Sequence, residues 1–471
     1  MLQKDNALGI NNEATVLDAY SQTIPLDYKQ SYFSNEKQIN YSFSWQTQNK
    51  KPPLMLSLPH HRTSLLPSTS VMYSGIKGLM LGETSTRWTI ALPKVAVLFI
   101  EPKYLSPEKK NKIREALQVD AAQFIEQPFL DEGPYLLGKR YARIARLILI
   151  AHQIQEYSLQ KKMLKHLESL LTRKILTKST WHFEYDTTWG GVIPSVDNYG
   201  ARHYNDHHYH YGYWVYTFAV IAQFDGQWLN APFQGKSYAP QEWIKVLIDD
   251  YANQDTKNTY FPMQRYQDDY AGHSWASGLT SFKDGQNQQS SSEAVNAYYA
   301  LALYAKAVKN PDLFAWAAFL MARELKSAQT YWHIAKSSTI YSPQFTEYNQ
   351  VVADLWGSKI DSNTFFTKCK TEYRCGLEYA FGIQMLPFTA ISHRLIDQEW
   401  IQNAYPTLKK IILGKYGTIS PQWKWLLIKG MSGFMEQKER DYYFQQAHVS
   451  SPQEYDNGDS KTNTLYFLAD E

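Results

Sequence analysis

"GKRYARIARLILIAHQIQ", residues 138–155, sets the fold class of this chain. Ile144, Leu147, Ile148, Ala151 and Ile154 fall three or four positions apart, the stripe of a helix with one buried face. The same character returns at 214–224, 240–252, 293–308, 311–328, 378–386, 397–412 and 422–437. No fixed period relates these segments, so a solenoid is not indicated. Long, polar, aromatic loops join them. A simple bundle uses short connections, so an α/α toroid fits better.

Upstream the pattern changes. "YSFSW" puts Tyr41, Phe43 and Trp45 on one face of a strand, and "LMLSL" does the same with Leu54, Leu56 and Leu58. "RWTIAL" and "VAVLFI" continue the alternation, with turns such as "SGIKG" nearby. Residues 1–104 therefore read as a β-rich domain, short for a complete sandwich. "SPEKKNKIREALQ" opens a helix after its Ser-Pro start, and 105–137 reads as a small linking region before a helical domain at 138–471.

Composition narrows the function. A formal charge of +3 without a Lys/Arg block gives nucleic-acid binding little electrostatic support. The 35 Tyr and 14 Trp supply flat faces with hydrogen-bonding edges, which suit sugar rings, although large helical cores also collect aromatics. Cys369 and Cys375 are too few for a disulfide framework and are as plausible reduced as paired. "MLQKDNALGINNEATV" lacks the apolar segment of a signal peptide. The longest apolar run, "LFAWAAFLMA" at 313–322, is too short to cross a bilayer. No nucleic-acid partner and no membrane insertion are expected.

Three loops hold the candidate chemistry. "HYNDHHYHYGYW" at 203–214 packs four histidines and several tyrosines around Asp206. His207, His208 and His210 are zinc-ligand types, but neighbouring histidines point apart on a regular backbone and no H-E-x-x-H pair is present. A polar loop bonded to its own backbone is the plain alternative for each histidine singly. "FPMQRYQDDYAGHSWASGL" at 261–279 brings together Arg265, Asp268, His273 and Trp275. "KDGQNQQSSSEAVNAYYALALYAKAV" at 283–308 runs from a polar loop straight into a helix. There Ser290 and Glu293 have capping-box spacing, with Glu293 expected to reach back to the Ser290 amide. A carboxylate at a helix start is also kept ionised, as a general base must be.

These motifs carry a resemblance. "YNDHHYHYGYW", "GHSWASGL" and "DGQNQQSSSEAVNAYYALALY" resemble the catalytic region of glycoside hydrolase family 81, the endo-β-1,3-glucanases. "LMLSLPHHR", "SGIKGLMLG" and "GPYLLGKRYARIARL" resemble its β-sandwich end and connecting segment; "GIQMLPFTA" and "TNTLYFLA" resemble its C-terminal portion. The resemblance implies a mostly α protein: an (α/α)6 toroid preceded by a β-sandwich, here incomplete, and a small linking region. It also implies a β-1,3-glucan cleft, no cofactor or metal, a monomer, and a secreted or cell-surface location. In such enzymes one carboxyl protonates the leaving oxygen while another activates water from the opposite face, some 6.5–9.5 Å away.

By resemblance Asp206 is the acid. Tyr204, His208, His210, Tyr211, Arg265, Asp268, His273 and Trp275 are then expected to bind glucan. The family's third motif normally reads E-S-S-S-E, whereas this chain has Gln289 and Glu293. The first glutamate is the usual base, and an amide there cannot take a proton as a carboxylate does. The sequence therefore supports either an impaired endo-β-1,3-glucanase or a non-catalytic β-glucan-binding protein. A polysaccharide lyase, needing a basic cleft, is disfavoured by the near-neutral charge.

Overall fold

The computed structural model describes residues 7–62, 68–126, 132–177, 180–367 and 376–469. Cys369 and Cys375 lie outside them. Helix α1 (Ala7–Tyr20) precedes strands β1 (Pro25–Ser34), β2 (Gln38–Thr47), β3 (Met55–Ser57), β4 (Met72–Gly75), β5 (Gly78–Glu83) and β6 (Arg87–Pro93). They form two antiparallel three-stranded sheets, ordered β1-β2-β6 and β3-β5-β4. The expectation of strands throughout the first hundred residues fails twice. Ala7–Tyr20 is helical. Among the described residues "VAVLFI" pairs with no strand, and two of its carbonyls are bonded by side chains: Leu98 accepts from the Tyr299 hydroxyl and Val97 from Lys306 (2.8 Å).

The helical part follows as α2 (Pro107–Glu126), α3 (Pro134–Gln153), α4 (Tyr157–Leu176), α5 (His207–Phe224), α6 (Gly226–Asn230), α7 (Pro240–Ala252), α8 (Ser291–Ala307) and α9 (Pro311–Ser327). After these come α10 (Pro343–Thr346), α11 (Leu377–Gly382), α12 (Ser392–Leu395), α13 (Gln398–Ile412), α14 (Pro421–Met431), α15 (Gln437–Val449) and α16 (Lys461–Leu468), with short strands β7 (Phe183–Asp186), β8 (Gly191–Pro194), β9 (Gln267–Asp268) and β10 (His273–Ser274) in the loops between the earlier helices. Helix α3 packs on α5, α5 on α8, α11 on α14, α14 on α16, and α16 back on α3; the remaining gap in this inner ring is bridged by the segment after α11, whose Ile383 and Leu386 carbonyls accept from Ser290 and Ser292 at the start of α8. Helices α2, α4, α7, α9, α13 and α15 lie outside it against these partners. This is the α/α toroid the segment pattern predicts.

Inner and outer helices differ in the way burial demands. Helices α5 and α8 are buried nearly all round, whereas α13 buries Trp400, Ile401, Ala404, Leu408, Ile411 and Ile412 along one stripe. Full burial explains why α5 begins at His207, seven residues before the sequence expectation. Its first turns carry polar aromatics on every side and give no stripe. Gly212 lets α5 approach α8 closely, since a Cβ there would sit 2.8 Å from Ala297. Helix α14 ends at Met431, short of the expected 437, where a 3-10 turn at Ser432–Phe434 takes over. Helix α11 ends at Gly382, short of 386, and the chain beyond it turns in to meet α8.

Helix α2 lies within the stretch read as linking, yet it packs on α3, α4 and α16. The sheets are equally integrated. Tyr32 stacks on Phe319 of α9 (4.8 Å between centroids), Tyr41 leans on the same ring, and the β2 and β6 side chains share one core with the toroid. The β4–β5 hairpin places the Lys77 ammonium against His273.

Candidate active site

Three chain segments meet at one end of the inner ring. Asp206 is the N-cap of α5, Gln289 immediately precedes Ser290, the N-cap of α8, and β11 (Asn287–Gln288) leads into that helix. The backbone is cross-tied here: the Asp206 amide donates to the Ala276 carbonyl (2.9 Å), and the Ala276 amide donates to Asn287 (2.6 Å). Gly278 lies so near the 203–204 backbone that a Cβ would fall 2.2 Å from the His203 carbonyl.

Asp206 has a left-handed backbone (φ 62°), which an aspartate tolerates better than most residues. Unlike an ordinary N-cap aspartate, its carboxyl takes no bond from the helix amides. Among the described residues no hydrogen-bond donor reaches that carboxyl. Burial, then the nearby carboxyls of Glu293 and Asp354, hold it protonated well above the usual range. That is the state a proton donor needs.

Glu293 lies in the first turn of α8. Ser290 caps the helix by accepting from the Glu293 amide (3.4 Å), but the other half of the expected capping box is missing. The Ser290 amide goes to the Tyr209 hydroxyl (3.3 Å), and the Glu293 carboxyl turns inward to accept from Tyr135 (2.8 Å) and Tyr213 (2.7 Å). Burial raises its pKa, opposed by Lys139 and by these hydroxyls. The three serines anchor α8 to the segment after α11. Ser290 and Ser292 donate to the Ile383 carbonyl, Ser292 also to Leu386, and Ser291 donates to Gln384 (2.6 Å).

The other candidate residues are distributed unevenly. Trp275 is half-buried, with Nε1 donating to Asp268 (3.1 Å), an edge against His273 and Lys77 over its ring. His210 lies against Tyr135 (4.8 Å), and His208 is wholly buried on Tyr266, its pKa pushed down to about 3 by burial. Tyr204, Tyr211, Arg265 and His273 face into the molecule. Tyr204 donates to Asp186 and Tyr211 to the Val192 carbonyl. Arg265 clamps the Trp189 and Gly190 carbonyls and covers the Tyr204 ring, and His273 sits between the Ser274 carbonyl and Lys77.

The histidines of the 203–214 stretch diverge. His207 is held between the Asp250 carboxylate and the Ala201 carbonyl, each at 2.7 Å, while His208 and His210 turn to different aromatic neighbours. Among the described residues, no three His, Cys, Asp or Glu are arranged to hold a metal ion. Chelator treatment is expected to leave the melting temperature unchanged; tightly bound stoichiometric zinc in the purified protein would contradict this.

One acidic residue at this site went unnoticed in the sequence. Asp354 lies on β12 (Asp354–Trp356), which pairs with β11 in the register Asn287↔Trp356 and Gln288↔Leu355. It is wholly buried and accepts a long bond from Asn287 (3.4 Å). The available signal was an acid inside the apolar run "VVADLW". Burying such a group is costly without purpose.

Residues 6–100 match the family model described as the N-terminal domain of glycosyl hydrolase family 81, and residues 104–465 match its C-terminal domain. A glucan endo-1,3-beta-D-glucosidase of Glycine max is 30% identical over 96% of this chain and 67% of its own length. Glucan endo-1,3-beta-D-glucosidase 2 of Saccharomyces cerevisiae is 28% identical over 93% of this chain and 56% of its own. The primary septum glucan endo-1,3-beta-D-glucosidase of Schizosaccharomyces pombe is 26% identical over 98% and 46%. The chain thus spans about half to two thirds the length of these relatives. A mutant of the family 81 glycoside hydrolase from Clostridium thermocellum shares the fold, with a TM-score of 0.82 at 24% identity over 97% of this chain and 61% of that one.

Proposed function

Since this chain belongs to glycosyl hydrolase family 81, we propose that it hydrolyses internal β-1,3-glucosidic bonds of β-1,3-glucan with inversion at the anomeric carbon. The observation that carries this reading is Asp206. Among the described residues no hydrogen-bond donor reaches its carboxyl, and burial with the neighbouring carboxyl of Glu293 holds it protonated. Asp206 gives its proton to the leaving glucosyl oxygen as the C1–O bond breaks. Water attacks from the opposite face, near Gln289. Glu293, anchored by two tyrosines, fixes the local field and orients the site rather than meeting the water. Action takes place outside the cell or at its surface, where wall glucans lie.

Digestion of laminarin, following the anomer of the first product, tests this. An α-anomer at first release supports inversion, and a β-anomer excludes it. The amide at position 289 specifically favours a second reading, a β-glucan-binding protein that retains the cleft. Laminarin binding with no product, even after a carboxylate is restored at 289, would select that reading.

Trp275 is assigned to the glucan-facing wall. A well-placed aromatic contact is worth about 0.5–1.5 kcal/mol. Trp275→Ala should therefore weaken laminari-oligosaccharide affinity several-fold while the protein stays folded. A core tryptophan would instead cost about 3–5 kcal/mol of stability, so melting curves beside binding curves separate the two.

A further inference from the structure

The Gln289 amide and the Asp354 carboxyl form an unfinished pair. The β11–β12 register, continued by one residue, sets position 289 directly opposite position 354. Among the described residues neither the buried Gln289 Nε2 nor the buried Asp354 Oδ1 has a hydrogen-bond partner. The amide stands close enough to favour the ionised carboxyl while staying outside hydrogen-bonding geometry. Asp354 is also near enough to Asp206 to raise that residue's pKa. A third carboxyl of the site, Asp354, therefore sits behind position 289.

We propose that Asp354 is the proton acceptor for the hydrolytic water, working through the Gln289 amide. The proposal rests on the functional reading above and deepens it. As the water oxygen bonds to C1, its proton passes to Gln289 Oε1 and an Nε2 proton passes to Asp354 Oδ1. Asp206 meanwhile protonates the departing oxygen. Gln289 is left as the imidic acid, Asp354 neutral and Asp206 ionised. Return of the Asp354 proton to Nε2, loss of the Oε1 proton to solvent and reprotonation of Asp206 restore the site. The net change is one water added across one glucosidic bond.

Burial pushes the Asp354 carboxyl up to about 8, with Asn287 and Gln289 opposing, Asp361 reinforcing and Lys359 opposing from β13 (Ile360–Asp361) and its approach. Lys359 is itself held by Asp361 (3.0 Å) and Asp284 (3.2 Å). A proton acceptor works when ionised, so activity carried by Asp354 rises with pH towards a limit above about 8.

The test is kcat and KM on laminarin from pH 5 to 9.5 for the full chain and four variants: Asp354→Asn, Gln289→Ala, Gln289→Glu, and Gln289→Glu with Asp354→Asn. The full chain should show a rising limb. Asp354→Asn should remove that limb and lower kcat at pH 9 by about 10²-fold, the low end for a positioned base, with KM little changed. Gln289→Ala, which leaves Asp354 in place, should lose rate similarly, with melting curves reporting the fold of each. In the Gln289→Glu background the Asp354→Asn loss should fall below tenfold, because the introduced carboxylate takes the proton itself. Equal losses in both backgrounds, or an unchanged rising limb in Asp354→Asn, would overturn the proposal. A full chain inert at every pH beside an active Gln289→Glu would overturn it while leaving the glucanase reading intact. If both proteins neither cleave nor bind laminarin, the functional reading itself falls.

Discussion

Gln289→Glu raises laminarin hydrolysis at pH 6 by about 10²–10⁴-fold, the usual worth of a positioned general base. Position 289 lies one residue before the N-cap of α8, where the helix end favours negative charge. Asp354 opposite it is neutral at that pH, since burial holds its pKa at about 8. A neutral Asp354 can donate to a carboxylate at 289 and help keep it ionised. Above pH 8 the unmodified chain gains its own acceptor as Asp354 ionises, so the advantage of Gln289→Glu should shrink. Initial rates at pH 6 and 9 decide this. Equal rates at pH 6 remove position 289 from the mechanism. A Glu293→Gln variant that is dead while the unmodified chain is active would pass the base role to Glu293.

Asp206→Asn should abolish hydrolysis in the Gln289→Glu background, a loss of about 10²–10⁴-fold or more, while laminarin binding persists. Asparagine keeps the shape and cannot give up a proton to the leaving oxygen. The fold should not suffer. Asp206 sits in a left-handed conformation that asparagine also tolerates, and its ionisation is opposed by burial and by two other carboxyls. A group whose folded-state pKa is raised costs stability as pH climbs above its unfolded value, so the substitution should, if anything, raise the melting temperature at pH 7. The parent's alkaline limb should lie well above the ordinary carboxylic range, because the acid works only while protonated. Undiminished activity of Asp206→Asn would exclude the assignment.

The toroid was legible because apolar residues recur at helical spacing both in α3 of the inner ring and in outer helices such as 240–252 and 397–412, although α3 proves buried on nearly every side from Ile144 to Ala151. The start of α5 was not. A helix enclosed on every side has no polar face, so "HHYHYGY" reads as a loop although its histidines and tyrosines are helical. The acid at 206 stood out in the sequence because a carboxyl among polar aromatics asks for a reason. Asp354 did not, because "VVADLW" looks like an ordinary buried strand and only the β11–β12 register places it opposite position 289. Tyr135 and Tyr213, which hold Glu293, come from α3 and α5, 158 and 80 residues away along the chain. No local spacing could reveal contacts made only when the ring closes.

The hairpin that carries Lys77 binds the two matched regions into one mechanical piece. A toroid transplanted without its sheets would lose the cation beneath Trp275, the His60–Tyr331 bond (2.6 Å) and the Tyr28–Asp269 bond (2.5 Å) in one cut. It would also leave the Trp275 ring without the ammonium that covers it. Exchanging residues 72–83 alone would therefore also disturb the 261–279 loop, whose His273 and Trp275 rest on Lys77.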